Sequence, residues 1–126
     1  GTFQTTIHGF SLLHAAPEQL DPGRFGDTTQ QTDIYQLGIT WYWLACGKRP
    51  FSAGSIAEAM KERLEGDVVP PSAVIPGLEP LDPVILKCLA RDPSDRYRDM
   101  RELLGDIKDL QNRFGGENGS TRDDNA

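Results

Sequence analysis

The segment DIYQLGITWYWLAC, from Asp33 to Cys46, is apolar on nearly every face of a helix. Its only charged residue is the first, whereas a helix on a protein surface carries a distinct polar face. Thr32 is suited to the N-cap and Gly47 to the C-terminal stop of such a helix. The segment therefore predicts a buried central helix against which the rest of the chain packs.

The sequence on either side of this segment predicts shorter helices and loops. Capping signals place one helix over residues 55–64, a second from 82 to about 90 and a third from 99 onward. No strand pattern extends beyond short apolar runs, so the predicted fold class is all-α, a central helix ringed by shorter ones. Residues 113–126 contain almost no apolar side chain, and we expect them to form a disordered polar tail.

Composition limits the class of protein. A chain of 126 residues with 37% hydrophobic residues is long enough for one domain with a core. Its net charge of −6 argues against nucleic-acid binding, which requires a basic surface. Cys46 and Cys88 lie among apolar residues without a CxxC spacing, which predicts buried thiols in the cytoplasm rather than a disulfide or a metal site. No apolar run approaches the length of a membrane span, so we expect no membrane contact from this segment.

Three short motifs surround or begin the central segment. Residues 16–20 read APEQL, residues 32–38 read TDIYQLG and residues 91–97 read RDPSDRY, with GKRPF at 47–51 between the last two. In this order they resemble the C-terminal lobe of a eukaryotic-type (Hanks-type) serine/threonine protein kinase, in the form found in prokaryotes. The resemblance extends over residues 1–112, which we expect to be a partial kinase domain.

The resemblance implies that a longer parent protein, with an α+β kinase fold, transfers the γ-phosphoryl group of ATP to serine or threonine of protein substrates, with Mg²⁺. The glycine-rich loop, the strand lysine and the HRD and DFG motifs of such kinases do not occur in this sequence. We therefore expect the chain to supply the end of the activation segment, the substrate-docking platform and the helical base. It should bind neither ATP nor metal and be inert alone. The alternative is a pseudokinase or scaffold domain that binds partners without catalysis.

The resemblance also assigns roles to three charged residues. In the family, the glutamate of the APE motif meets an arginine from the loop before the last helix, which implies a buried, bidentate ion pair between Glu18 and Arg96. Asp33 corresponds to the carboxylate that supports the backbone of the catalytic loop. A plain anion at the start of a helix is the other interpretation of Asp33.

The substrate-docking segment implied by the family precedes the APE motif. Ser11 keeps a hydroxyl where the family has a threonine, whereas Phe10 and His14 replace a glycine and a tyrosine. Activation-loop phosphorylation is expected in the preceding loop at Thr5, Thr2 or Thr6.

The central helix gives two further expectations, one about substrate preference and one about exposed apolar surface. Trp43 replaces a glutamate that can meet a substrate arginine in basophilic kinases, which weakens the case for a preference for basic substrates. The shorter helices can cover only part of the central helix, so Ile34, Leu37 and Trp41 should form an exposed apolar patch.

Overall fold

The computed structural model describes residues 14–51 and 55–125. Regular secondary structure within these ranges is entirely helical, as the sequence predicts. The α-helices in chain order are α1 (Pro17–Leu20), α2 (Pro22–Phe25), α3 (Gln30–Cys46), α4 (Ile56–Glu65), α5 (Pro71–Val74), α6 (Asp82–Cys88) and α7 (Met100–Asn125). Short 3₁₀ turns at Glu79–Leu81 and Pro93–Asp95 precede α6 and α7.

Helix α3 is the predicted central helix, but it begins earlier than the sequence indicates. Its N-cap is Thr29, whose hydroxyl accepts a hydrogen bond from the backbone N–H of Gln31, 3.1 Å away. Thr32, the predicted N-cap, lies in the first turn and accepts a hydrogen bond from the backbone of Thr29 at 3.0 Å. The prediction was wrong because the two threonines form a reciprocal cap and the first of them begins the helix. Gly47 ends α3 in the left-handed conformation, with φ of 75°, as predicted.

The core lies on two faces of α3. One face carries Tyr35, Ile39 and Tyr42 and packs against Ile85 and Leu89 at the end of α6. The neighbouring face of α6, with Val84 and Cys88, belongs to a second apolar cluster, whose buried members are Ile34, Val84, Cys88, Tyr97, Leu103 and Leu110. Helix α6 is therefore shared by both clusters and makes the most extensive contact with α3. Cys46 and Cys88 are both buried and unbonded, as predicted.

The exposed side of α3 differs from the expected apolar patch. Ile34 is fully buried, because Tyr97 and helix α7 cover it. Leu37 is 40% exposed and Leu44 is 80% exposed, while Trp41 is half-buried. The exposed large apolar residues of α3 are therefore Leu37, Trp43 and Leu44, and the inclusion of Ile34 in the patch was wrong.

The capping signals in the sequence predict the N-terminus of α4 correctly, but not the role of Asp82 at the N-terminus of α6. The hydroxyl of Ser55 accepts from the backbone N–H of Glu58 at 3.2 Å, as predicted for α4. Asp82, expected as a cap, instead accepts hydrogen bonds from the backbone and hydroxyl of Ser72. The 3₁₀ turn before α6 runs directly into that helix, which leaves the Asp82 carboxylate available to hold α5.

Helix α7 extends into residues 113–125, part of the segment for which the sequence predicts a disordered polar tail. Its backbone remains helical to Asn125, well past Leu110, the last buried residue of the core. Adding a residue to an existing helix is far easier than nucleating one, and no proline occurs in residues 113–125. The described helices include none that is long and apolar enough to cross a membrane.

The contact between α3 and α6 depends on Gly38. A Cβ atom at this position would lie 2.7 Å from Cβ of Cys88 and 3.1 Å from Cδ2 of Leu89. We expect Gly38→Ala to lower the free energy of unfolding by about 1–3 kcal/mol, the usual cost of overpacking a core. Chemical denaturation followed by circular dichroism measures this change.

Gly105→Ala is the matched control for that substitution. Gly105 lies in α7 with no atom within 4 Å of the added Cβ, so the change should stabilise the chain by about 1 kcal/mol through helix propensity. A Gly38→Ala variant that gains stability in the same way as Gly105→Ala would contradict the close packing of α3 on α6.

Candidate functional site

Glu18 lies in the first turn of α1 and is fully buried. Pro17 occupies the first helical position, where its lack of an N–H group costs nothing. The side chain of Gln19 accepts a hydrogen bond from the backbone N–H of Ala16 at 2.8 Å. This local cap fixes the turn and directs the Glu18 carboxylate into the interior.

The guanidinium group of Arg96 meets this carboxylate with two parallel hydrogen bonds. Nη1 lies 2.6 Å from Oε2 of Glu18, and Nη2 lies 2.8 Å from Oε1. The other donors of Arg96 reach backbone carbonyls of Ala90 (2.8 Å), Gln31 (3.0 Å) and Arg91 (3.2 Å). A guanidinium group has five N–H donors, and every one has an acceptor here.

Two further residues complete the environment of this ion pair. The hydroxyl of Thr32 donates to Oε2 of Glu18 at 2.7 Å, and the ring of Tyr35 lies 4.7 Å from the Arg96 guanidinium carbon. Burial by itself raises the pKa of the Glu18 carboxyl, but the hydrogen bonds from Arg96 and Thr32 outweigh burial and bring that pKa below its ordinary value. The carboxylate is therefore charged at neutral pH, and α1, α3 and the loop after α6 are tied together at one point.

A second buried arginine, Arg63, lies close to the same segment and was missed by the sequence analysis. It is 2% exposed, and its Nε donates to the backbone carbonyl of Ala15 at 3.2 Å. Its guanidinium group stacks over the ring of Phe51 at 4.4 Å. The only signal in the sequence is its position three residues after Met60, on the same face of α4. Arg63 thus ties α4 to Ala15, two residues before the start of α1.

His14 is the predicted docking residue that the structure describes, and it is half-buried. Burial lowers the pKa of its imidazole, and the positive charges of Arg49 and Arg63 lower that pKa further. The ring is therefore mostly neutral at pH 7. The other residues expected in the docking segment and the phosphorylated loop, Ser11, Thr2, Thr5 and Thr6, lie outside the described residues.

Asp33 is exposed in the first turn of α3, next to Thr32. With Gln19, Thr29 and Gln36 it lines a shallow polar cleft of about 320 Å³. The Asp33 carboxylate therefore lies outside the Glu18–Arg96 ion pair. It faces solvent in this cleft, where another part of a longer chain could contact it.

The kinase resemblance implies that the parent binds Mg²⁺ and ATP. Within the described ranges no three His, Cys, Asp or Glu side chains come close enough to hold a metal ion. The arginine nearest to a buried carboxylate, Arg96, uses all its donors within the protein. The described residues thus offer no three-ligand metal site, and Arg96 is not available to a phosphate group.

Comparison with known proteins gives relatives over most of the chain. The chain is 34% identical over 99 residues, 78% of its length, to the serine/threonine-protein kinase PknL of Mycobacterium tuberculosis. It is 33% identical over 100 residues, 79% of its length, to the serine/threonine-protein kinase PknB of Mycobacterium tuberculosis. A probable serine/threonine-protein kinase of Clostridium acetobutylicum is 29% identical over 85 residues, 67% of the chain. No protein-family model matches.

These relatives confirm the resemblance indicated by the motifs: the chain is homologous to a part of the bacterial serine/threonine-protein kinases. It spans 24% of the length of PknL, 16% of PknB and 13% of the clostridial protein.

Because Arg96 pairs with both carboxylate oxygens of Glu18, we expect that another cationic side chain at this position would not stabilise the fold equally well. Lysine has three donors on a tetrahedral nitrogen and cannot pair with both carboxylate oxygens of Glu18 in a plane. We expect Arg96→Lys to lower the free energy of unfolding by about 2 kcal/mol or more, because buried acceptors lose charge-assisted hydrogen bonds. Denaturant titration of the purified chain measures the effect.

Arg98→Lys is the matched control, two residues away in the same loop. The Arg98 side chain is 83% exposed, and its Nη2 lies 3.5 Å from Oε2 of Glu102. Its replacement should change the unfolding free energy by less than about 0.5 kcal/mol, as for other exposed ion pairs. Equal effects of the two substitutions would show that the Arg96 hydrogen bonds contribute little to stability.

Proposed function

We propose that residues 1–112 are the lower part of the C-terminal lobe of a serine/threonine protein kinase and form the platform on which a protein substrate docks. In the full-length protein, this platform would hold the substrate for ATP-dependent phosphoryl transfer. The observation that carries the proposal is the buried bidentate pair between Glu18 and Arg96, which joins the APE motif to the RDPSDRY motif. The kinase relatives, which match the chain over most of its length, support the same assignment.

The contacts of residues 15–18 suit a docking platform. Arg63 holds the carbonyl of Ala15, Gln19 holds the N–H of Ala16, and Arg96 holds the carboxylate of Glu18. A surface whose backbone is fixed before the substrate arrives loses less conformational entropy on binding. In this proposal the fixed turn positions Ser11 and His14 against the substrate.

The proposal assigns supporting roles to residues outside the ion pair. Asp33 would hold the backbone of the catalytic loop, since its carboxylate is exposed at the start of α3. Phosphorylation of Thr5, Thr2 or Thr6 would order the activation loop by adding a dianionic group. The chain would contribute positioning to catalysis, while residues outside this sequence supply the contacts to ATP and Mg²⁺.

A scaffold without catalysis is the second candidate. It is favoured by the departures from the family pattern in the docking segment, where Phe10 and His14 replace glycine and tyrosine. A scaffold would keep the buried ion pair and the partner-binding surface and lose phosphoryl transfer.

A chimeric kinase tests the proposal. The residues of this chain replace the matching segment of PknL, and transfer of radiolabelled phosphate to a generic serine- and threonine-containing protein is measured. We expect activity within about tenfold of PknL, since each tenfold loss corresponds to only about 1.4 kcal/mol in the transition state. The isolated chain should show no heat of binding with Mg-ATP.

Two variants of the chimera serve as controls. Glu18→Gln should abolish most of the activity, whereas Glu65→Gln, at an exposed position that ends α4, should leave it unchanged. A folded chimera that binds ATP without transferring phosphate would favour the scaffold. Micromolar binding of Mg-ATP by the isolated chain would contradict the proposal that residues outside this sequence supply the contacts to ATP and Mg²⁺.

A further inference from the structure

A cleft of about 410 Å³ opens at the C-terminal end of α3. Its walls include Trp43, Lys48, Arg49 and Phe51, and we call it the 43–51 cleft. Trp43 is 40% exposed, and the guanidinium carbon of Arg49 lies 4.4 Å from the centre of its ring. An aromatic wall thus lies beside two cationic side chains.

The positive charge of this cleft is not neutralised by an ion pair within the described part of the chain. Lys48 is exposed, and no carboxylate in the described ranges lies within 4.0 Å of the charged nitrogens of Lys48 or Arg49. Nε of Arg49 is buried and finds no hydrogen-bond acceptor among the described residues. A buried donor without an acceptor is costly, so this N–H favours an acceptor brought by a ligand.

The nearby polar groups are already engaged. Asp82 is close enough for its charge to act on Tyr42 and Cys46, but its carboxylate accepts two hydrogen bonds from Ser72. The hydroxyl of Tyr42 donates to the backbone carbonyl of Val69 at 2.7 Å. The lining of the cleft thus includes two cationic side chains and no carboxylate, although the net charge of the chain is −6.

The 43–51 cleft adjoins the proposed docking segment. The positive charge of Arg49 reaches His14 and helps to lower the pKa of its imidazole. Phe51 also supports Arg63, which holds the carbonyl of Ala15. An anionic group in the cleft would therefore lie close to the residues on which the substrate docks.

We propose that the 43–51 cleft binds an aspartate or glutamate side chain of the protein substrate and so gives the platform a preference for acidic sequences. The carboxylate would accept hydrogen bonds from Arg49 and Lys48, as expected for charge-assisted pairs. The methylene groups of that side chain would lie against Trp43. This inference rests on the proposed substrate-docking function and adds a substrate class to it.

Fluorescence anisotropy with labelled peptides tests the inference. Three peptides of equal length share a central threonine and differ in carrying four glutamates, four glutamines or four lysines. We expect the 126-residue chain to bind the glutamate peptide at least about tenfold more tightly than the glutamine peptide, the effect of one charge-assisted hydrogen bond. The lysine peptide should bind more weakly than both.

Three substitutions locate the effect. Arg49→Gln and Lys48→Gln should each reduce the preference for glutamate over glutamine by about tenfold. Lys61→Gln, an exposed lysine of α4 outside the cleft, is the control and should leave the preference unchanged. Circular dichroism verifies that each variant is folded. If Arg49→Gln does not fold, Lys48→Gln alone decides the result, because Lys48 is exposed and its replacement should not affect folding.

The outcomes separate this inference from the function on which it rests. Equal binding of the three peptides, or a preference that neither Arg49→Gln nor Lys48→Gln reduces, would overturn the acidic cleft and leave substrate docking intact. Failure of the folded chain to bind any of the peptides would overturn both. A glutamate preference that depends on Arg49 or Lys48 and not on Lys61 supports the inference.

Discussion

The architecture depends on one buried charge pair. Removing Glu18 and Arg96 from water is expensive, and their attraction offsets that cost only if the remaining hydrogen-bonding groups are also satisfied. The structure meets this condition: Arg96 uses all five donors, and the Glu18 carboxylate accepts from both Arg96 and Thr32. Because the acceptors belong to α1, to the start of α3 and to the loop after α6, satisfying this one cation fixes three parts of the chain relative to each other.

Arg63 is a second buried arginine that restrains the APE motif, from the side of α4. It holds Ala15 from α4, whereas Arg96 holds Glu18 from the loop before α7, so the short segment between them is restrained from two directions. Each arginine also lies over an aromatic ring, Phe51 or Tyr35, which adds cation–π attraction to the hydrogen bonds. A four-residue helix has little stability of its own. The position of α1 therefore comes from these tertiary contacts, and a substrate-docking role would use this rigidity.

The sequence predicts those features that a local pattern encodes. The central helix follows from its continuous apolar run, and the capping signals place helices near α4, α6 and α7. The meeting of Glu18 with Arg96, 78 positions apart, has no local pattern and was expected only through the kinase resemblance. Arg63 was missed because burial of an arginine depends on which carbonyl and ring lie opposite it, and Thr29 was missed because two threonines compete for one cap. The helical continuation of α7 past residue 113 depends on propagation from the packed part of the helix.

The most direct test of the account is a double-mutant cycle on the ion pair, with Glu18→Gln, Arg96→Met and the two together, measured as free energies of unfolding. The account predicts that each single substitution costs about 3–5 kcal/mol, because each leaves a buried group unpaired. The double variant should then be less destabilised than the sum by about 2 kcal/mol or more, in the range found for residues of one network. Additive effects, with a coupling energy below about 0.5 kcal/mol, would contradict the claim that this pair holds the three segments together.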